Sequence, residues 1–220
     1  MKIYKRKLIE NEYNLAAAAS EEFQKVKWGS QEKMYNRFRL VLETFDFNEV
    51  GSWLDVGSGT GGFQSVVCPL FPRITATGID ISAQLVEYAK NRNDLDHRNV
   101  KFRKIDFLEH KENGFDLVTC IGVLQKTNIS SGFFFKKAFE KLNPSGRLYL
   151  DTKNIKWEKF KDPNCYPERT HQWFDPKDLI SDAYRAGFSD ILVKGFIPDD
   201  NKVVRPNDSH TIYLTAIKRN

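Results

Sequence analysis

The sequence predicts a doubly wound α/β domain: a mostly parallel seven-stranded sheet with an antiparallel terminal strand pair and an N-terminal helical cap. Three observations lead there. Short apolar strands alternate with helix-spaced segments from Gly51 onward, a glycine-rich run follows the first strand, and no helix fits between the last two strands. The length, 220 residues, suits one domain of upper size. Residues 1–50 form the cap, part of the same domain, and residues 51–220 the sheet.

Each element has a local reason. Met34, Phe38, Val41, Leu42 and Phe45 recur at helical spacing, with Ser30 as N-cap. Ser52–Val56 is a short buried strand that runs into Gly57-Ser58-Gly59-Thr60-Gly61-Gly62, and a helix follows to about Leu70, before Pro72. Ile74 to Ile79 is the second strand, and Ser82 caps a helix carrying Leu85, Val86 and Ala89. Val100 to Ile105 and Phe115 to Ile121 are the third and fourth strands. Phe134, Phe135, Ala138, Phe139 and Leu142 mark one helix face. Asn143-Pro144-Ser145-Gly146 stops that helix before a fifth strand from Arg147 to Asp151. Asp175-Pro176 starts the last helix, a cap followed by proline at the first helical position, and Ala186-Gly187 ends it. Ile191 to Ile197 and Thr211 to Ile217 make the terminal pair, which leaves the sheet mixed.

Composition narrows the class. Hydrophobic residues are 40% and charged residues 29%, with 17 Phe, which excludes disordered, collagen-like and coiled-coil chains. A net charge of +5 permits an acidic partner without demanding one. Three cysteines without a CxxC pair read as reduced, intracellular thiols, and no apolar run approaches the roughly 20 residues of a membrane span. A cytoplasmic protein is expected, with no membrane association. No His/Asp/Glu cluster has metal-ligand spacing, so no metal is expected.

The glycine run carries the chemistry. Glycines at positions 57, 59 and 61 let backbone approach a ligand, and the helix behind them presents free N–H groups. Asp80 closes the next strand 23 residues beyond Gly57, where a carboxylate can take both hydroxyls of a ribose. Loop and acid together indicate an adenosine-type cofactor, against the plainer reading of a glycine turn beside a surface Asp. Gly57, Gly59 and Gly62 also fit GxGxxG, the pattern of nicotinamide and flavin enzymes. Asp55 inside the first strand, the helical first fifty residues and the terminal strand pair oppose that alternative.

Leu54-Asp55-Val56-Gly57-Ser58-Gly59-Thr60-Gly61-Gly62 resembles the first motif of the class I S-adenosylmethionine (SAM)-dependent methyltransferases, of small-molecule type. Thr77-Gly78-Ile79-Asp80-Ile81-Ser82, Lys104-Ile105-Asp106-Phe107, Phe115-Asp116-Leu117-Val118 and Leu142-Asn143-Pro144-Ser145-Gly146-Arg147-Leu148 match its later motifs in order. Trp173-Phe174-Asp175-Pro176 with Ala186-Gly187-Phe188 resembles the closing helix of many small-molecule members. The resemblance covers about Gly51 to Lys218 and implies a Rossmann-like sheet, SAM as cofactor and S-adenosylhomocysteine (SAH) as product. It places Gly57 and Gly59 along the methionine part, within the Gly57–Gly61 loop. Asp55 faces the amino group, Asp80 the ribose, Ile81 and Phe107 the adenine ring, and Asp106 the adenine amino group. Ile121 and Gly122 lie near the transferring methyl. Trp28-Gly29-Ser30 and Arg37-Phe38 resemble a segment that folds over the cofactor, with Arg37 available to the methionine carboxylate or exposed on its helix.

The expected reaction is methyl transfer to nitrogen or oxygen of a small-molecule acceptor such as a metabolite, sugar or natural-product intermediate. Base candidates are His171 and Tyr166, in the long segment between the fifth strand and the last helix, and more weakly His210. Aromatics in that segment, including Trp157, Phe160 and Phe174, supply an apolar substrate wall. His97 and His110 sit in polar surface segments. Where many relatives carry a histidine after the fourth strand, this chain has Lys126-Thr127. Lysines alternate with Trp157 and Phe160, which keeps an RNA acceptor as an alternative, but Glu158 and Asp162 are interleaved, so nucleic acid is the less favoured partner. A non-catalytic SAM-binding protein is the other alternative. Oligomeric state is left open.

Overall fold

The computed structural model describes residues 5–95, 99–158 and 172–219. Three helices lead: α1 (Arg6–Ala16), the single turn α2 (Glu22–Lys25) and α3 (Gln31–Thr44). Ser30 caps α3 as expected, its hydroxyl accepting from Lys33 N–H at 3.1 Å. Then come β1 (Ser52–Val56), α4 (Gly62–Leu70), β2 (Thr75–Asp80), α5 (Ala83–Lys90), β3 (Val100–Lys104), β4 (Phe115–Ile121) and α6 (Ser131–Lys141). The chain closes with β5 (Leu142–Lys153), α7 (Pro176–Arg185), β6 (Phe188–Ile197), β7 (Lys202–Val204) and β8 (Thr211–Lys218).

The strand order is β3-β2-β1-β4-β5-β8-β6-β7. β1 lies parallel between β2 and β4, and β8 is antiparallel to both β5 and β6. The sheet therefore has eight strands rather than seven. The addition is β7, three residues of the β6–β8 connection that fold back on the end of β6, pairing Phe196 with Val203. So short a strand carries no readable alternation, and Pro206 ends it two residues on.

β5 also starts earlier than the turn signal implies. Asn143–Gly146 forms a bulge inside the strand, with Ser145 at φ 60°, and the β4–β5 register shifts between Phe115 and Leu117. The Asn143 amide ties the bulge to the sheet by donating to Asp116 Oδ1 (2.8 Å) and to the Gly114 carbonyl (3.1 Å).

Two apolar layers cover the sheet. On one face Met34, Phe38, Phe47, Phe63 and Trp53 join α3 and α4 to the strands, with Trp53 and Phe63 edge-to-face at 4.9 Å. On the other, Phe134, Phe135, Leu179 and Phe188 pack α6 and α7 against Leu148 and Leu214. Phe174, expected in a substrate wall, is buried in this second layer, while Phe160 lies outside the described residues. His110 is likewise buried, not superficial: it lies at the base of β4 beside Phe115. His97 lies outside the described residues. Among the described residues no helix is long and apolar enough to cross a membrane.

Candidate active site

Doubly wound sheets leave a crevice where strand order reverses, at the carboxyl ends of the strands. Here that point lies between β1 and β4, and it opens a cleft of about 1100 Å³, its solvent-filled mouth included. The glycine loop forms its floor. Gly57 and Gly59 have φ of 74° and 56°. The N–H groups of Gly57 and Ser58 both donate to the Ile79 carbonyl, at 2.8 and 3.0 Å, fastening the loop to β2. A Cβ on Gly57 would lie 2.2 Å from a Val123 methyl, so only glycine fits.

Three carboxylates ring the cleft, each at or near a strand end. Asp80, the last residue of β2, accepts from Gly59 N–H (3.0 Å) and Ser82 N–H (2.8 Å), with acceptor positions remaining on both oxygens. Burial pushes its pKa upward against those backbone donors. Asp106 follows β3, accepts from Leu108 N–H at 2.9 Å and lies 3.7 Å from the Arg6 guanidinium of α1. Asp55 sits within β1, where Thr119 Oγ1 donates at 2.6 Å and Gln64 Nε2 at 2.8 Å. Trp53 Nε1 donates in turn to Thr119 (2.8 Å). Burial raises the Asp55 pKa to about 6; the two donors counter it, and the Asp80 charge adds to it.

The cleft brings together most of the residues the sequence singles out. Asp55, Gly57, Gly59, Asp80 and Ile81 line it with Asp106 and Phe107. Ile121, Gly122 and Trp28 close its other end. Two residues stand apart. Gly61 faces Phe102 and Ala89, where a Cβ would lie 2.7 Å from the Phe102 ring, so its glycine serves helix–strand packing. Arg37 is neither exposed nor on the cleft wall: it is buried and paired with Asp151, Nη1 to Oδ1 at 2.8 Å. His171 and Tyr166 lie outside the described residues.

The N-terminal cap supplies walls that the motifs do not announce. Ile9 and Tyr13, four residues apart on α1, line the cleft, and Asn14 accepts from Ser82 Oγ at 2.7 Å. Glu22 accepts from Thr60 Oγ1 at 2.7 Å, and Val26 packs onto Gly59. The four-residue spacing of Ile9 and Tyr13 is the one signal that could have found them. Among the described residues no three His, Cys, Asp or Glu side chains are gathered to hold a metal ion.

Residues 48–184, more than half the chain, match a family model described as "Methyltransferase domain". The chain belongs to that methyltransferase family. It is 26% identical over 147 residues to malonyl-[acyl-carrier protein] O-methyltransferase of Priestia megaterium, covering 67% of this chain and 52% of that protein. It is also 26% identical over 178 residues to ubiquinone biosynthesis O-methyltransferase of Coxiella burnetii, covering 74% and 75% respectively. The chain thus spans about half of the first relative and three quarters of the second. Phosphoethanolamine N-methyltransferase 2 of Haemonchus contortus, solved in complex with SAM, superposes with a TM-score of 0.70 at 17% identity, over 84% of this chain and 53% of that one. At that identity the likeness speaks for the shared sheet alone.

Proposed function

We propose that this methyltransferase-family chain uses SAM to methylate nitrogen or oxygen of a small-molecule acceptor. The observation that carries the reading is the three-carboxylate cleft over the glycine loop at the β1/β4 switch point. Its residues fit the cofactor in kind. The glycine cradle excludes any Cβ, and Ser58 Oγ and Gln64 Oε1 are buried without a partner among the described residues. Asp80 would hold the ribose hydroxyls, Asp106 the adenine amino group between Ile81 and Phe107, and Asp55 the ammonium of the methionine part. The cofactor supplies a methyl group already activated on a sulfonium.

The chain's own task is alignment and exclusion of water, which together lower a transfer barrier by several kcal/mol, up to about 7–11 in the best cases. Trp28, Met34, Phe38 and Val123 give the methyl end apolar walls suited to it. His210 makes a weak base: burial and the charges of Lys153 and Arg37 hold its pKa down to about 4. Mutation of His171 and Tyr166 tests their role as the base.

Binding of SAH tests the reading. At 100 times Kd it should add about 2.7 kcal/mol to stability, and Asp80→Ala should abolish most of that gain while leaving a cooperative unfolding transition. No thermal shift with SAM or SAH, with one appearing for NADH, would refute the cofactor assignment. Acceptor-dependent release of SAH across a panel of small amines, phenols and carboxylic acids tests turnover.

A further inference from the structure

We infer that Arg37 and Asp151 are positioning residues that set the methyl-transfer end of the cleft through Trp28 and Gly122, an inference that rests on the methyltransferase reading above. Neither side chain lines the cleft, yet each holds a residue that does. Asp151 Oδ1 accepts from Gly122 N–H at 2.7 Å and pairs with Arg37 Nη1 at 2.8 Å. The Arg37 guanidinium stacks on the Trp28 ring, its central carbon 4.5 Å from the ring centroid. Trp28 in turn lies against Gly122, where a Cβ would come within 3.1 Å of the indole edge and where φ is 70°. The four residues close a ring of contacts. Arg37 Nη2 also donates to Thr211 Oγ1 at 3.2 Å, so the ring ties the N-terminal cap, through Trp28 and Arg37, to β5 and β8 of the sheet.

Stability alone explains the pair poorly. Two charges taken out of water are offset only when their remaining donors and acceptors are satisfied. Here Arg37 Nε and Asp151 Oδ2 are buried without a partner among the described residues. What the pair does accomplish is geometric. A planar guanidinium fixes the tilt of an aromatic ring, and a carboxylate fixes the peptide beside it. An aromatic face so placed attracts a cationic ligand group, and SAM carries a sulfonium where SAH carries a neutral thioether.

Comparison of those two ligands on one variant provides the test. Arg37→Met combined with Asp151→Leu removes both charges at similar volume and strands neither. The double variant should weaken SAM about 5- to 30-fold while SAH changes by less than about threefold. The fluorine resonance of Trp28 in 5-fluorotryptophan-labelled protein, assigned with Trp28→Phe, should shift without ligand. Equal changes for both ligands, or no change in either affinity or resonance, would overturn the inference. Should the double variant fail to fold, Arg37→Lys keeps the charge opposite Asp151 but loses the planar stack. It should show the same selective loss of SAM, and an equal loss of both ligands would overturn the inference. If the wild type binds neither ligand, the cofactor reading itself falls and takes this inference with it, an outcome distinct from a binding wild type with an unselective variant.

Discussion

Replacing Asp55 by Asn isolates the cost of holding a carboxylate inside β1. Its pKa is raised to about 6 by burial, against an ordinary value near 3.8. The folded protein therefore binds the proton more tightly than the unfolded chain. The stability this provides is full below about pH 4 and is lost as pH rises through about 6. Integrated between those two pKa values, the loss is about 3 kcal/mol, of which about 2 kcal/mol accumulates between pH 4 and pH 7. Asparagine has the same shape and no charge. Thr119 Oγ1 can still donate to its oxygen, and Gln64, whose Oε1 is unpartnered, can turn its amide to accept from the new Nδ2.

The ligand-free variant should thus gain on the wild type as pH rises, by about 2 kcal/mol over that window. Urea titrations of both proteins at half-unit steps from pH 4 to 8 measure the difference directly. The difference is the proper quantity, because His210, held down to about 4, tilts the wild-type curve the opposite way over the same range. Parallel curves for the two proteins would refute the argument. So would a variant that falls behind the wild type as pH rises.

Other substitutions follow from the same geometry. Gly57→Ala should cost about 2 kcal/mol or more in chemical denaturation, from the left-handed backbone together with the Val123 methyl 2.2 Å from the new Cβ. A loss under about 0.5 kcal/mol would mean that the loop relaxes freely. His210→Asn should gain on the wild type as pH falls from about 6.5 to 4, because the wild type's unfolded chain takes up a proton on this ring that the folded one refuses. An unchanged slope in that range would show that the ring is solvated.

Much of the site was legible because its parts are local. The loop conformation is written in Gly57 and Gly59, and Asp80 and Asp106 stand at or just after strand ends that apolar runs mark out. The helix caps Ser30 and Asp175 were legible for the same reason: each satisfies backbone donors two or three residues away. Gly61 shows the limit. Its glycine is required by the Phe102 ring and by its own φ of 76°, and a residue pattern does not say which neighbour demands the missing side chain. His110 has polar neighbours in sequence and a buried ring in space, because the base of β4 closes over it. The strand β7 is too short to carry a period of two.

Sequence alone determined the class of fold, the order of strands and helices through β4, the glycine cradle and the acids that ring it. Each depends on backbone preferences and apolar spacing within a few residues. Only the tertiary structure decided that Arg37 belongs to Asp151, 114 residues away, that α1 brings Ile9 and Tyr13 to the cleft, and that Trp28 rests on Gly122. Helical periodicity says that a side chain lies on a given face, but the partner on that face is settled when the helix docks on the sheet. For a buried charge that choice is decisive, since an arginine out of water must find its counter-ion wherever the chain has placed one.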